Sequence, residues 1–403
     1  MKTYLIPTFR RRTAFLFCLL LLPFTSLLAQ VLQGTLVDSL TGEPVGYAHI
    51  YSESRDFGTI SNEQGKFELK PYAQSDSFFI SHVNYQPVFI TAAPGDSMTI
   101  VLKPDVRILE AVVIDQEAIE IATDVYEQLK NAPLFYGKSF YRQITIVDED
   151  PIEFAEVFYD ISYKTTGIQE VKIDQARFAR KRDKLFQFVN FSYFTNAVTL
   201  ISDSLSSIKI PFSKVFDDYI YSITEKYIKD GDTYVRVKCT PPKITMPSDT
   251  AELYVGSEFL YNLTERGLME WQYHIKHGFG ADQFENDTYK AYNPEHFFYF
   301  NFTTIDGKTF LDHIRIEYYF DFENNDETSR VKVVSNAIIY EKNAKPHKKL
   351  HKPGLENSNI KHIRKAKYRP RFWRENPVIT LTPKEAAAIA TFEKENAFGS
   401  YFK

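Results

Sequence analysis

Nine histidines, two cysteines and several acidic clusters are the side chains in this sequence best equipped for chemistry. A zinc peptidase needs His and Glu spaced to hold one metal, with a further Glu as base. None of the histidines has Glu three residues later, and no His-Glu-x-x-His occurs. The pair in His274-Ile275-Lys276-His277 would converge on a helix, but Met269, Trp271, Tyr273 and Ile275 alternate with polar residues as in a strand. Residues three apart on a strand point to opposite faces, so the pair predicts no metal site. His347 and His351 would converge only on a helix that the neighbouring prolines oppose. Asp321, Glu323, Asn325 and Asp326 suggest calcium, yet the loop lacks the required Gly, and Lys332 stands where the bidentate acid belongs. They predict a solvated hairpin tip, as Asp148-Glu149-Asp150 predicts an exposed turn.

Nucleophilic chemistry fares no better. Cys239 has inward parity on its strand and reads as a buried, inert thiol. No Gly-x-Ser-x-Gly elbow and no glycine-rich phosphate loop is present. The expectation is a protein that is not an enzyme and takes no metal or other cofactor. One further cluster could still bind. Lys345, Lys348, Lys349, Lys352, Lys361, Arg364, Lys365, Lys367 and Arg369 could meet an anionic lipid or glycan, or form a solvated linker. Three prolines interrupt them and they show no face-forming period, which favours the linker.

The elements that would position these residues are mostly strands. The chain has 403 residues, room for two or three domains. Phe (34) and Tyr (26) far outnumber Met (4), a bias that suits pleated surfaces. At the N-terminus, Arg10, Arg11 and Arg12 precede an apolar run from Ala14 to Leu22, and Pro23 ends it. This predicts a signal peptide over 1–29, cut near Ala29/Gln30, rather than a membrane anchor. Cleavage would remove Lys2 and the three arginines, taking 48 basic residues to 44 against 52 acidic and the formal charge from −4 to −8. It would also leave Cys239 alone, so no intrachain disulfide could form.

Short apolar runs separated by turn residues fill 31–103. Asp38-Ser39-Leu40-Thr41-Gly42-Glu43-Pro44 reads as a turn, and Asn62-Glu63-Gln64-Gly65 as a hairpin loop between Gly58–Ile60 and Lys66–Leu69. Such spacing predicts a β-sandwich. Gly34-Thr35-Leu36-Val37-Asp38, Thr41-Gly42-Glu43-Pro44-Val45, Ala48-His49-Ile50, Gly58-Thr59, Gly65-Lys66-Phe67, Ser81-His82-Val83-Asn84-Tyr85 and Val101-Leu102-Lys103-Pro104 follow in order. Together they resemble the carboxypeptidase-regulatory-like domain found at the N-termini of outer-membrane receptors and other envelope proteins of Bacteroidetes. The resemblance covers 30–104 and implies a seven-stranded-type sandwich that scaffolds and places its neighbours, with no catalytic residues of its own. Asn stands at 62 and 84 where the family usually has Asp and Gly.

A connector and helix follow over 105–132, with Ala118, Ile121, Ala122, Val125 and Leu129 on one face. Period-two alternation then runs through 133–343, as in Ala155, Val157, Tyr159, Ile161 and Tyr163, and Ile305-Asp306-Gly307-Lys308 marks a tight hairpin. The order helix, Ser139-Phe140-Tyr141-Arg142, long strands, then Asp230-Gly231-Asp232-Thr233-Tyr234 is similar to envelope proteins with a curved, lipoprotein-carrier-like antiparallel sheet. That likeness implies an apolar or extended ligand on a face of Phe and Tyr. A basic linker and final helix close the chain over 344–403, the helix opened by Thr382-Pro383-Lys384-Glu385.

The fold expected is mainly β with a few helices. The function expected is an exported periplasmic or outer-membrane-associated protein that binds or scaffolds, with an envelope glycan, lipid or outer-membrane protein as partner. Nucleic acid is excluded by export, and no transmembrane helix remains after cleavage. A small outer-membrane β-barrel is the alternative, favoured by aromatic strands such as His296–Thr304. A hydrolase with an unrecognised site is a second.

Overall fold

A computed structural model of the protein describes residues 31–52, 58–69, 76–82, 85–93, 95–104, 116–181, 200, 208–212, 216–229, 231–241, 253–276, 289–324, 327–352, 363 and 366–398. The expected signal peptide, the connector at 105–115, and Asn84, His277, Asn325, Asp326, Lys361, Arg364 and Lys365 lie outside the described residues.

Seven short strands come first: β1 (Leu32–Asp38), β2 (His49–Ser52), β3 (Gly58–Ile60), β4 (Lys66–Leu69), β5 (Asp76–His82), β6 (Tyr85–Ala92) and β7 (Ser97–Leu102). They form two sheets, ordered β4-β1-β7 and β3-β2-β5-β6. Leu32, Leu36, Ile50, Phe67, Phe78, Ile80 and Leu102 fill the space between them. Asp38 builds the first turn, its Oδ1 accepting from the amides of Leu40 and Thr41 at 2.6 and 2.9 Å. The turn at 62–65 is also formed, with Asn62 Oδ1 accepting from the amides of Gln64 and Lys66. It is not the hairpin the sequence suggested, because β3 and β4 belong to different sheets. Gly65 has φ +71°, and a Cβ there would lie 2.3 Å from the Leu36 carbonyl oxygen. Both the backbone conformation and the close approach require glycine.

Helix α1 (Gln116–Lys130) buries the face the sequence predicted, Ala118, Ile121, Ala122, Val125 and Leu129. The large sheet that follows is built from β8 (Phe135–Val147), β9 (Asp150–Lys164), β10 (Gly167–Arg180), β12 (Ile220–Lys229), β13 (Asp232–Thr240), β15 (Ser257–Asn262), β16 (Gly267–Lys276), β17 (Tyr289–Ile305), β18 (Lys308–Asn324) and β19 (Glu327–Glu341). Two-residue strands β11 (Ile208–Lys209) and β14 (Leu253–Tyr254) pair separately. The ten strands are antiparallel in the order β10-β9-β8-β19-β18-β17-β16-β15-β13-β12. The edge strands β10 and β12 do not pair with each other, so the described residues form an open sheet and not a closed barrel. Asp306 (φ 49°) and Gly307 (φ 70°) make the expected two-residue turn between β17 and β18.

Each face of this sheet is covered differently. On the inner face the buried side of α1 joins one core with Tyr141, Tyr159, Trp271, Phe298, Phe300, Tyr318 and their neighbours. Those rings are almost wholly buried and serve as core, which corrects the expectation that such a face holds a ligand. On the outer face lie α2 (Pro370–Glu375), α3 (Pro383–Lys394) and the sandwich. Ala388, Ile389 and Phe392 of α3 pack on Ile144, Phe154, Ala179 and Val334. Trp373 of α2 and Ile60 of the sandwich share a cluster with Phe140, Phe158 and Ile338. The capping box of α3 is formed as read, with Thr382 and Glu385 bonding reciprocally. No helix among the described residues is long and apolar enough to cross a membrane.

Candidate functional site

Alternation along β13, β15, β16 and β17 sends Val237, Phe259, Trp271, Tyr273, Phe298 and Phe300 to the inner core. The intervening residues point outward. Register then aligns them across strands in two rows. Lys238 lies opposite Glu258, Glu258 opposite Gln272, Gln272 opposite Tyr299, and Tyr299 opposite Arg315. In the next row His274 lies opposite Phe297. All of these but Arg315 line a solvent-facing groove of about 380 Å³, together with Cys239, Pro241 and Gly256, and no helix of the described residues covers it. The Phe297 and His274 rings stack at 3.9 Å. Gln272 Nε2 donates to Glu258 Oε2 at 3.2 Å. Burial holds His274 below its ordinary pKa, and its Nε2 has no hydrogen-bond partner among the described residues.

The sandwich touches the sheet beside the groove, where the Tyr47 ring lies 3.8 Å from the Arg315 guanidinium, which is also 4.4 Å from the Tyr299 ring. Such flanking fixes a long side chain that would otherwise be mobile. Glu317 accepts from Arg315 at 2.6 Å and from the Tyr319 hydroxyl at 2.6 Å. Burial would raise the Glu317 carboxyl, but Arg315, the Tyr319 hydroxyl and Lys332 together outweigh it and the pKa is lowered.

Two buried polar clusters fasten the outer layer to the sheet. Asp312 Oδ1 pairs with Lys342 Nζ at 2.6 Å, and its Oδ2 accepts from Tyr51 of β2 and from Thr303 at 3.1 Å. His49 Nδ1 lies 3.7 Å from the same carboxylate, and the His49 ring is 5.4 Å from His313. Farther along, Glu156 accepts from Arg142 Nε and Arg177 Nε, both at 2.7 Å, with all three side chains buried.

Burial lowers the pKa of His49 and His313, and takes His82 to about 4 and His296 to about 3. Unfolding releases each toward about 6.5. Between those values the unfolded chain binds protons that the folded chain refuses, so stability falls as pH falls. Each unit of displacement is worth about 1.4 kcal/mol. The expected result is a melting temperature that is flat above neutrality and drops steadily from about pH 6.5 toward pH 4. A flat profile across that window would contradict the buried, neutral assignment.

Of the residues singled out by sequence, His274 and Cys239 border the groove, and the other described ones fall elsewhere. Cys239 is buried, its thiol pushed up to about 12 by burial, beyond nucleophilic use near neutral pH. Asp321 takes an ion pair with Arg330 at 2.8 Å and a bond from Asn293. Asp148 and Glu149 form the exposed β8–β9 turn. Among the described residues no group of three or more His, Cys, Asp and Glu could hold a metal. Lys345, Lys348, Lys349, Lys352, Lys367 and Arg369 are all exposed. The first four follow β19 along the sheet edge, where His351 and Val171 exchange both backbone hydrogen bonds. Lys367 and Arg369 lead into α2 instead.

A larger cavity, about 520 Å³, lies between α1 and the hairpin tips at Arg266 and Lys308. Its polar groups already satisfy one another. Asp124 pairs with Arg266 at 2.7 Å and accepts from Tyr261 and Gln128. The outer groove went unread in the sequence because Lys238, Glu258, Gln272 and His274 are what any solvent-facing strand position carries. Only register reveals that they adjoin.

Comparisons with known proteins bear on the N-terminal part. Across 79 residues the chain is 35% identical to the TonB-dependent receptor SusC of Bacteroides thetaiotaomicron, which is 20% of this chain and 8% of the receptor. Among solved structures, a DUF1329 family protein from Desulfovibrio piger aligns over 61% of this chain and 97% of its own, at 10% identity and TM-score 0.20. A domain assigned to outer membrane lipoprotein sorting from Vibrio parahaemolyticus covers the same shares at 9% identity and TM-score 0.22. Scores this low establish no shared fold. Residues 32–114 match the CarboxypepD_reg-like domain family, so the sandwich is similar in sequence to that domain.

Proposed function

We propose that the chain is an exported, non-enzymatic binding protein of the cell envelope. In this reading the sandwich, 30–104, is a scaffold docked beside a binding face on the large sheet, 133–343. The observation that carries it is the solvent-facing groove lined by Lys238, Glu258, Gln272, His274, Phe297 and Tyr299, whose stacked rings and polar groups stand ready without a catalytic constellation beside them. Export is supported by the basic and apolar N-terminal pattern, and an envelope setting by the likeness of the sandwich to part of an outer-membrane receptor. The exposed lysines at 345, 348, 349 and 352 are the second surface, where an anionic lipid or glycan would be held by charge alone.

Expression of the full chain in a Gram-negative host, followed by fractionation and intact-mass analysis, tests this reading. The expected result is processing near Ala29/Gln30 and recovery without detergent. Recovery only from detergent-extracted membranes, with heat-modifiable mobility, would favour the barrel alternative instead.

A further inference from the structure

We infer that the boundary between sandwich and sheet is an acid-operated latch, in which protonation of His49 and His313 undocks the sandwich while each part keeps its own fold. The latch holds the two parts together and is independent of what the outer groove binds.

Strand geometry sends the residues to this boundary. On β2, Ile50 enters the sandwich core, so His49 and Tyr51 point the other way, toward the sheet. On the sheet side, β17 and β18 lose register between Asn301 and Phe302, which leaves Asp312 as an extra residue beside His313. His49, Tyr51, Asp312, His313 and Lys342 are all buried there.

Hydrogen bonding fixes where each ring could take a proton. The Tyr51 hydroxyl gives its one proton to Asp312, so its 2.7 Å contact with His49 Nδ1 makes that nitrogen the donor. His313 Nε2 donates to Asn336 Oδ1 at 3.0 Å. The basic nitrogens left over are His49 Nε2 and His313 Nδ1. Both are buried with no hydrogen-bond partner among the described residues. A proton on either would be a buried charge without an acceptor.

Charge balance in the layer depends on the rings staying neutral. Asp312 is taken by Lys342 and Glu317 by Arg315, both at 2.6 Å. From β17 and β19 come the neutral Asn301, Thr303 and Asn336. The cleft bordered by His49 also holds His82, itself a base, Glu270, paired with Arg236 at 3.6 Å, and Glu265, exposed at a hairpin tip. Its tyrosines stay neutral near pH 7. Two added protons would therefore stand on rings 5.4 Å apart, beside Lys342, with the one adjoining carboxylate already engaged. Burial holds His49 below its ordinary pKa despite Asp312, and burial, His49 and Arg315 hold His313 well below it.

Undocking opens both rings to water, where each titrates near about 6.5. Docking is at full strength above that value and weakens as pH falls, by about tenfold per unit for each ring. From pH 7.5 to pH 5 the two together weaken it by roughly a thousandfold. The main cores of sandwich and sheet are separate clusters, so opening the layer divides only the small one in which Ile60 meets Phe140, Phe158 and Ile338.

The test is energy transfer between dyes at Leu40→Cys on the sandwich and Lys308→Cys on the sheet, both exposed, in the processed chain from pH 7.5 to pH 5. Cys239 is buried and stays unlabelled. Transfer should fall reversibly with far-ultraviolet circular dichroism unchanged, and the docked-to-undocked ratio should drop about a hundredfold or more per unit below about pH 6. His49→Gln and His313→Gln should each reduce that drop by about tenfold per unit. His296→Gln, buried on the inner face, should leave the steepness as it was. The steepness is read with both rings in place, so the inference stays testable if a variant fails to fold. Transfer that holds constant to pH 5, or falls only together with the circular dichroism, would overturn it. A fall whose steepness neither His49→Gln nor His313→Gln changes would overturn it as well.

Discussion

Replacing Glu156 with Ala is expected to destabilise the protein by about 3–5 kcal/mol, the cost of stranding a buried charge. Glu156 is the shared partner of two guanidiniums, with Arg177 NH2 at 2.5 Å in addition to the Nε contacts, and its side chain is only 2% exposed. Arg142 also donates to the Ile379 carbonyl at 2.7 Å and lies 3.7 Å from Glu385. Arg177 sits 4.7 Å from the Trp373 ring and 5.4 Å from that of Phe398. Burial works against the charge on Arg142, but Glu156 and Glu385 outweigh it and its pKa is raised. Without Glu156 the two cations face each other across a closed interface. The first consequence would be release of α2 and α3, read as faster amide exchange over 383–394, with a fall in melting temperature. Combining Glu156→Leu with Arg142→Met and Arg177→Leu should recover most of the loss, because removing all the charges removes the desolvation cost. A loss below about 1 kcal/mol for Glu156→Ala would show that water reaches the site.

The second large effect is expected at Asp312. Its carboxylate neutralises Lys342, each side chain 3% exposed, and it accepts from Tyr51 across the boundary between sandwich and sheet. Asp312→Ala leaves an ammonium buried beside the Tyr51 ring, 5.5 Å away, with about 3–5 kcal/mol lost. The sandwich has its own core, so the loss should appear as undocking and not as its unfolding. Amide exchange should quicken at the contact strands β2 and β3 while β1 and β7 stay protected. Uniform loss of protection across the sandwich would refute an independent core. Lys342→Met paired with Asp312→Leu should dock again, since the apolar pair needs no solvation.

The contrast between what the sequence disclosed and what it hid follows from range. The α1 face, the Asp306-Gly307 turn and the Thr382 capping box depend on residues within a few positions of one another, and all appear as read. The turn at 62–65 was legible as a turn, but its residues cannot encode that β3 and β4 diverge into different sheets. Strand parity placed Cys239 in the core and His274 opposite it for the same local reason. Arg142, Glu156 and Arg177 alternate with apolar residues and so look solvated. They are buried because α2 and α3 return from far along the chain to cover them. The groove was hidden likewise, being assembled by cross-strand register. Nor can the docking of Tyr47 from the sandwich on Arg315 be inferred from the sheet alone.

Strand order also has a consequence for how the chain is made. β8 and β19 are neighbours, with Val147 paired to Val331 and Phe140 to Ile338, so the sheet's last strand in sequence joins its first. β8–β10 and β12–β18 are two separate ladders until β19 arrives between them. A chain emerging N-terminus first therefore carries an incomplete edge at β8 until β19 follows almost two hundred residues later, with the β18 edge open beside it once that strand is made. Closing so long a loop comes late, which makes assembly slow. During that interval each open edge can recruit a strand from another chain. Loss of β19 alone would leave two aggregation-prone halves, with β8 and β18 both unpaired on one side.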